Sequence, residues 1–188
     1  MMTIRHERSA DVAAREALLD LSFGPYREEK TSERLREGRL PADGLSLVAA
    51  ERGRLIGTVR LWNVAAGPDR PALLLGPLAV SPQRRNRGIG SALMRRALQE
   101  MRRLGHRAVI LVGDAPYYSR FGFTAAKTEK LWLPGPFEAD RLLGLELAPG
   151  ALDGAHGLIG ATGRLAPKPD LAALAARFNE AGVMPRAA

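Results

Sequence analysis

Three arginines, Arg84, Arg85 and Arg87, stand just ahead of two glycines, Gly88 and Gly90. An apolar run, Leu78-Ala79-Val80, leads into them through the turn Ser81-Pro82, and a helical pattern follows. A strand that feeds such a turn at the start of a helix is a means of holding phosphate. The first N–H groups of a helix have no internal partner, and the helix dipole adds partial positive charge at that end. Gly88 and Gly90 lack a Cβ, so an anion can approach the main chain closely. The chemistry implied is the binding of a phosphorylated cofactor, with a diphosphate as the best match. Arg85, Asn86, Arg87, Gly88, Ile89, Gly90 and Ser91 are its candidate ligands.

The elements that must position this loop follow from periodicity. Residues 88–104 form the clearest helix, with Ile89, Leu93, Ala97, Met101 and Leu104 on one face and Gly105 as its C-cap. A strand over 73–80 precedes it and a short apolar strand over 107–112 follows. Strand, helix and strand make a right-handed βαβ unit with parallel strands, which puts the loop at the carboxyl end of the first strand. That first strand is interrupted by Gly76-Pro77. Proline cannot donate to a ladder and glycine often marks a bulge, so a kink is expected there. It is either an edge defect or a splay that frees the backbone beyond it for a partner other than protein.

Elsewhere, residues 2–8 read as a strand with Ile4 inward. A helix starts at Ser9, with Ser9 or Asp11 as cap and Val12, Ala14, Leu18, Leu19 and Leu21 as its apolar stripe. Phe23-Gly24-Pro25-Tyr26 breaks it, its aromatics serving either the core or a pocket wall. A more polar helix is expected over 28–36. Strands over 45–51 and 55–64 make a hairpin across Arg52-Gly53. Asp114 caps a short helix that ends at Gly122. Strands over 130–133 and 142–147 flank a loop whose Trp132 and Phe137 either cover an acceptor pocket or pack on the surface. A terminal helix is expected over 169–180. The organisation is one domain over 1–148 and an extension over 149–188. That extension can pack on the domain, reach a partner subunit in a homodimer, or fray.

Composition narrows the function. The chain has 188 residues, 46% hydrophobic and 26% charged, as in ordinary soluble domains. It has no apolar run of membrane-spanning length, and its N-terminus, with Arg5, Glu7 and Arg8, has no signal-peptide core, so a cytoplasmic location is expected. The lack of cysteine rules out disulfides, thiolate metal sites and an acyl-cysteine intermediate. His6, His106 and His156 show no ligand spacing, so no metal is expected. The net charge of +8 raises the question of nucleic acid. The basic residues lack interleaved aromatics that stack on bases, which disfavours that partner.

Among known phosphate loops, a P-loop would need a Gly-Lys-Ser/Thr that is absent. A dinucleotide fingerprint would need a third glycine where Leu93 stands. Arg85-Asn86-Arg87-Gly88-Ile89-Gly90 instead resembles the Arg/Gln-x-x-Gly-x-Gly/Ala loop of the GNAT superfamily of acetyl-CoA-dependent N-acetyltransferases, and Leu78-Ala79-Val80-Ser81-Pro82 resembles its approach strand. A second motif agrees: Tyr118 stands four residues before the pair Gly122-Phe123. The form Tyr117-Tyr118-Ser119-Arg120-Phe121-Gly122-Phe123 resembles that of a subgroup of predicted N-acetyltransferases. The resemblance covers roughly residues 3–148.

It implies an α/β fold with a central twisted mixed sheet of about seven strands flanked by helices, splayed and bulged at the cofactor site. It further implies transfer of an acetyl group from acetyl-CoA directly to a small-molecule or protein amine in a ternary complex. Leu78, Ala79 and Val80 would pair with the pantetheine arm, and the N–H of Leu78 or Val80 would face the developing oxyanion. Tyr118 would protonate the departing thiolate. The Glu that many members place on the strand before the loop is missing from Ala72-Leu73-Leu74-Leu75. Glu51, Asp114, Asp140 or solvent remain as bases, and none is assigned. The alternative is a non-catalytic acyl-CoA sensor or interaction module on the same fold.

Overall fold

The computed structural model describes residues 2–24 and 26–167. Its elements are β1 (Met2–His6), α1 (Val12–Phe23), β2 (Ser46–Glu51), β3 (Arg54–Ala66), β4 (Pro71–Val80), α2 (Ile89–Arg103), β5 (Ala108–Val112), α3 (Ala115–Tyr118), β6 (Leu131–Trp132), β7 (Leu142–Glu146) and β8 (Gly157–Ala161). One 8-stranded sheet runs β1-β2-β3-β4-β5-β7, with β8 beside β3 and β6 beside β8. Pairing is antiparallel except for β4 with β5 and β6 with β8. This is the mixed α/β sheet that the sequence led us to expect, with one strand more.

β4 and β5 are apolar on both faces because both are covered. Leu73, Leu75, Val109 and Leu111 join Leu93, Met94, Ala97 and Met101 of α2 in one core cluster. Ala72, Leu74, Ala108 and Ile110 join Leu131, Leu133, Leu152 and Ile159 in a second cluster. Burying each large aliphatic side chain contributes about 1.5–3 kcal/mol. The second cluster explains β8, which lies past residue 148. Its inward Ile159 sits between an exposed Leu158 and Gly160, with Gly157 at the strand start, which hides the alternation that marks a strand. The terminal helix over 169–180 lies outside the described residues.

The expected kink in β4 is a register shift. Val59 pairs with Leu78, but Leu61 pairs with Leu75. Gly76 and Pro77 therefore oppose the single residue Arg60, as in a β-bulge. The carbonyl of Gly76 accepts a 2.7 Å hydrogen bond from Trp62 Nε1. β4 pairs with β5 only at Leu73–Val109 and Leu74–Ile110. Beyond the bulge it stays on β3 alone.

Two expectations about the N-terminal third are corrected. The inward residues of α1 are Arg15, Leu18 and Leu19, while Val12 and Leu21 are exposed. Arg15 takes an inner position because Glu7 is buried there and pairs with both Arg15 and Arg60. The second helix does not form. Arg27–Glu29 and Thr31–Leu35 are separate 3-10 turns, with Lys30 between them in an extended conformation.

Two measurements test this frame. Arg5 forks onto Asp11 with bonds of 2.6 and 2.8 Å, and the Arg8 N–H adds a third at 2.8 Å. Chiefly through the Arg5 hydrogen bonds, the Asp11 carboxyl is held down to about 2. A folded pKa below the unfolded value means stability present above roughly pH 4 and lost as pH falls toward 2. The urea stability difference between wild type and Asp11→Asn is therefore expected to be full at pH 6 and to shrink through that window; a constant difference would contradict the pairing. Trp62→Phe leaves the Gly76 carbonyl without its donor and is expected to lose about 1–3 kcal/mol in urea unfolding. A loss within error of zero would show that the bulge does not depend on the indole.

Candidate active site

Where β4 parts from β5, a cleft of ≈ 430 Å³ opens. One wall is the bulge and its continuation, Gly76, Pro77, Leu78 and Val80. The end of β5 and α3 form the facing wall, and Gly90 of α2 closes one end. Ser81 N–H donates to Ile56 at 2.9 Å. Antiparallel pairs alternate between bonded and non-bonded, so Thr58–Ala79 is a bonded pair and the N–H groups of Leu78 and Val80 face away from β3, toward the cleft. Ala79 is not brought to the site: its main chain serves the ladder, and its side chain packs on Leu18 and Leu19.

At the loop, Asn86 and Gly88 take left-handed conformations, φ 60° and 74°. The first bond of the helix runs from Ala92 N–H to Gly88 at 2.9 Å, so the N–H groups of Ile89, Gly90 and Ser91 have no helical acceptor. Arg84 is tied to Glu51 at 3.0 Å. Arg85, Asn86, Arg87 and Gly88 are exposed. The Ile89 side chain is buried in the core below. A Cβ on Gly90 would lie 2.9 Å from the Tyr117 hydroxyl and 3.7 Å from Val80. Tyr117, rather than Tyr118, thus reaches over the first turn of α2.

Tyr118 lines the cleft and packs edge-on against Phe123, with ring centres 5.9 Å apart. Its hydroxyl has no hydrogen-bond partner among the described residues. Burial, helped by Tyr117 and Asp114, pushes the phenol up to about 12. The ring lies so close to Gly113 that a Cβ there would fall 2.2 Å from Cε2. Gly113 is therefore part of the site, and its only signal in the sequence is a glycine directly after a strand.

Of the candidate bases, only Asp114 lines the cleft, and its carboxylate accepts the Tyr117 N–H at 3.2 Å. Glu51 and Asp140 line no part of it. Of the aromatics weighed as pocket walls, Phe23 lines the cleft. Trp132 is exposed, and Phe137 packs on the second core cluster. The loop they flank acts indirectly: Thr31 and Arg34 donate to the carbonyls of Pro136 and Pro134 at 2.5 and 2.7 Å, bracing the turn opposite. That turn supplies lining residues that periodicity missed, Lys30, Glu33 and Arg36. No helix among the described residues is long and apolar enough to cross a membrane.

Residues 13–123 match the Acetyltransferase (GNAT) family. N-acetyltransferase YhbS of Escherichia coli (strain K12) is 33% identical over 159 residues, 84% of this chain and 95% of that protein. The crystal structure of Escherichia coli YhbS in complex with CoA has a TM-score of 0.73 at 34% identity, over 86% of this chain and 89% of that one. A GNAT family acetyltransferase from Brucella melitensis in complex with acetyl-CoA has a TM-score of 0.65 at 30% identity, over 86% of this chain and 96% of that one. The family match spans the bulged strand, the glycine loop and the tyrosine helix that build the cleft, and the chain belongs to the GNAT family of acetyltransferases.

Proposed function

We propose that this chain transfers an acetyl group from acetyl-CoA directly to a primary amine while both are bound, in the cytoplasm. The observation that carries the reading is the continuity of the cleft. It runs from Gly90 in the first turn of α2, past Leu78 and Val80, to Tyr118. The diphosphate would take the N–H groups of the loop through Ser91, with Arg85 and Arg87 beside it. The amide-bearing arm would lie along β4 as an added strand. That YhbS was crystallised with CoA and the Brucella melitensis protein with acetyl-CoA supports this use of the cleft.

In the transfer, the amine lone pair forms a C–N bond to the thioester carbon. The carbonyl oxygen gains charge beside the N–H of Leu78 or Val80. The C–S bond then breaks, the sulfur takes the proton of Tyr118, the nitrogen releases a proton to solvent, and the Tyr118 phenolate regains one from solvent. Burial keeps the phenol protonated at neutral pH, so it can act as an acid. We assign no general base.

Two variants test these roles. In Gly90→Arg, a long side chain enters between Tyr117 and Val80, and CoA affinity measured by calorimetry is expected to fall about 100-fold. Unchanged affinity would count against the loop. In Tyr118→Phe, CoA affinity is expected to hold while transfer, followed as thiol release, slows about 10²-fold. An undiminished rate from pH 7 to 9 would remove Tyr118 from the mechanism. A protein that binds acetyl-CoA but releases no thiol with any amine would be the sensor instead.

A further inference from the structure

The cleft holds a second group of cations, separate from the arginines of the phosphate loop. Arg84, Arg85 and Arg87 do not line it, whereas Arg27, Lys30, Arg36 and Arg141 do. Two carboxylates, Glu33 and Asp114, share that lining. Arg27 is neutralised from behind by Asp20, at 2.7 Å, and by Glu16. Arg141 pairs with Glu138 at 3.3 Å. Lys30 and Arg36 are different. Lys30 has no carboxylate within 4.0 Å among the described residues, and its ammonium sits 4.5 Å from the centre of the Phe23 ring.

Arg36 is 7% exposed. One terminal nitrogen, Nη2, bonds Glu33 at 2.7 Å and Ser32 at 3.2 Å. The other, Nη1, has no hydrogen-bond partner among the described residues. It lies 4.0 Å from the position a Cβ would take on Gly76, so it points at the bulge. Burial outweighs the attraction of Glu33 and depresses the Arg36 guanidinium. Lys30, although exposed to solvent on one side, is depressed first by partial desolvation and then by repulsion from Arg36 and Arg141. Both cations are therefore under-compensated, and a guanidinium stays charged in such a place. A guanidinium nitrogen that faces the cleft without a protein partner is open to an arriving anion, whose charge-assisted bond is stronger than a neutral one.

We infer that the acceptor is a small amine carrying its own anionic group, a carboxylate or a phosphate, which Arg36 Nη1 and Lys30 hold beside the Gly76–Pro77 bulge. This rests on the acetyl-transfer reading of the same cleft and names its substrate class. A polyamine or a lysine within a basic protein would meet repulsion from these two groups. An anionic amine is drawn in, and its nitrogen is presented next to the bulge where the thioester carbonyl is expected.

The test uses the whole chain saturated with CoA. Succinate, inorganic phosphate and spermidine are titrated by calorimetry at constant ionic strength into wild type, Lys30→Met and Lys30→Arg. Lys30 is exposed, so its replacement spares the core, which replacing Arg36 would not. Wild type is expected to bind succinate, phosphate or both, and not spermidine. Lys30→Met is expected to weaken the anion about tenfold, and Lys30→Arg to restore it. Preference between succinate and phosphate identifies which anionic group the acceptor carries. Binding of neither anion, or equal binding by Lys30→Met, overturns the inference. If CoA itself fails to bind, the cofactor reading falls, and the same titrations on the unliganded protein still decide the anion site.

Discussion

The molecule depends on β4 leaving one neighbour without leaving the other. β4 stays on β3 along its length but pairs with β5 at only two positions. The device is two residues against one, Gly76 and Pro77 against Arg60. Proline brings no N–H to the break, and the Gly76 carbonyl is taken by Trp62, so neither of these positions strands a polar group there. The N–H groups of Leu78 and Val80 are left over on the side away from β3. Buried and unmet, each would cost about 1–3 kcal/mol. They open instead into a cleft that water or an extended amide can fill. A straight β4 would consume them in the sheet and leave no cleft.

The bulge is also tied to a buried charge network. Glu7 is held by Arg15 and Arg60, and Arg60 lies over the Trp62 ring at 5.9 Å. The residue opposite the bulge, and the residue that bonds its carbonyl, are thus anchored to the junction of β1 and α1. Two cations around one acid satisfy charges that would be expensive alone. Arg36 is the contrasting case, a buried guanidinium with one carboxylate and one idle nitrogen. The net charge of +8 does not distinguish these cases. Arginines outside the phosphate loop divide into some neutralised within the fold and some left facing the cleft.

Much of the βαβ unit was legible because its signals are local. The α2 stripe, the β4 break and the glycine loop each need only a few neighbouring residues. Tyr118 was found through spacing to Gly122-Phe123. What failed to show in the sequence depends on distant partners. Arg15 reads as a solvent residue until Glu7 and Arg60 converge on it. Residues 28–36 have helical composition, but Lys30 is extended, and the Thr31 and Arg34 side chains are drawn to the 134–136 loop. β8 carries a single deeply buried side chain, Ile159, between an exposed Leu158 and Gly160. Ala79 was grouped with Leu78 and Val80, although strand alternation alone could have separated it from them.

The adjacent tyrosines show how a one-residue step assigns chemistry. On a helix, neighbours diverge by about 100°. Tyr117 reaches across to α2, its ring 4.7 Å from the Arg120 guanidinium and its hydroxyl above Gly90. Tyr118 goes inward onto Gly113, and burial raises it to about 12. A phenol so reluctant to ionise looks like a poor acid for a thiolate, since ordinary thiols ionise about 1.5 units below phenols. In the proposed reaction, however, the sulfur sits in the same dry cleft, and desolvation destabilises a thiolate as it does a phenolate. Both affinities for the proton rise together, so the gap between donor and acceptor stays near its ordinary size. Burial therefore neither improves nor spoils the match between Tyr118 and the departing sulfur; what separates Tyr118 from Tyr117, which also lines the cleft, is position, one ring lying against Gly113 and the other hydroxyl over Gly90.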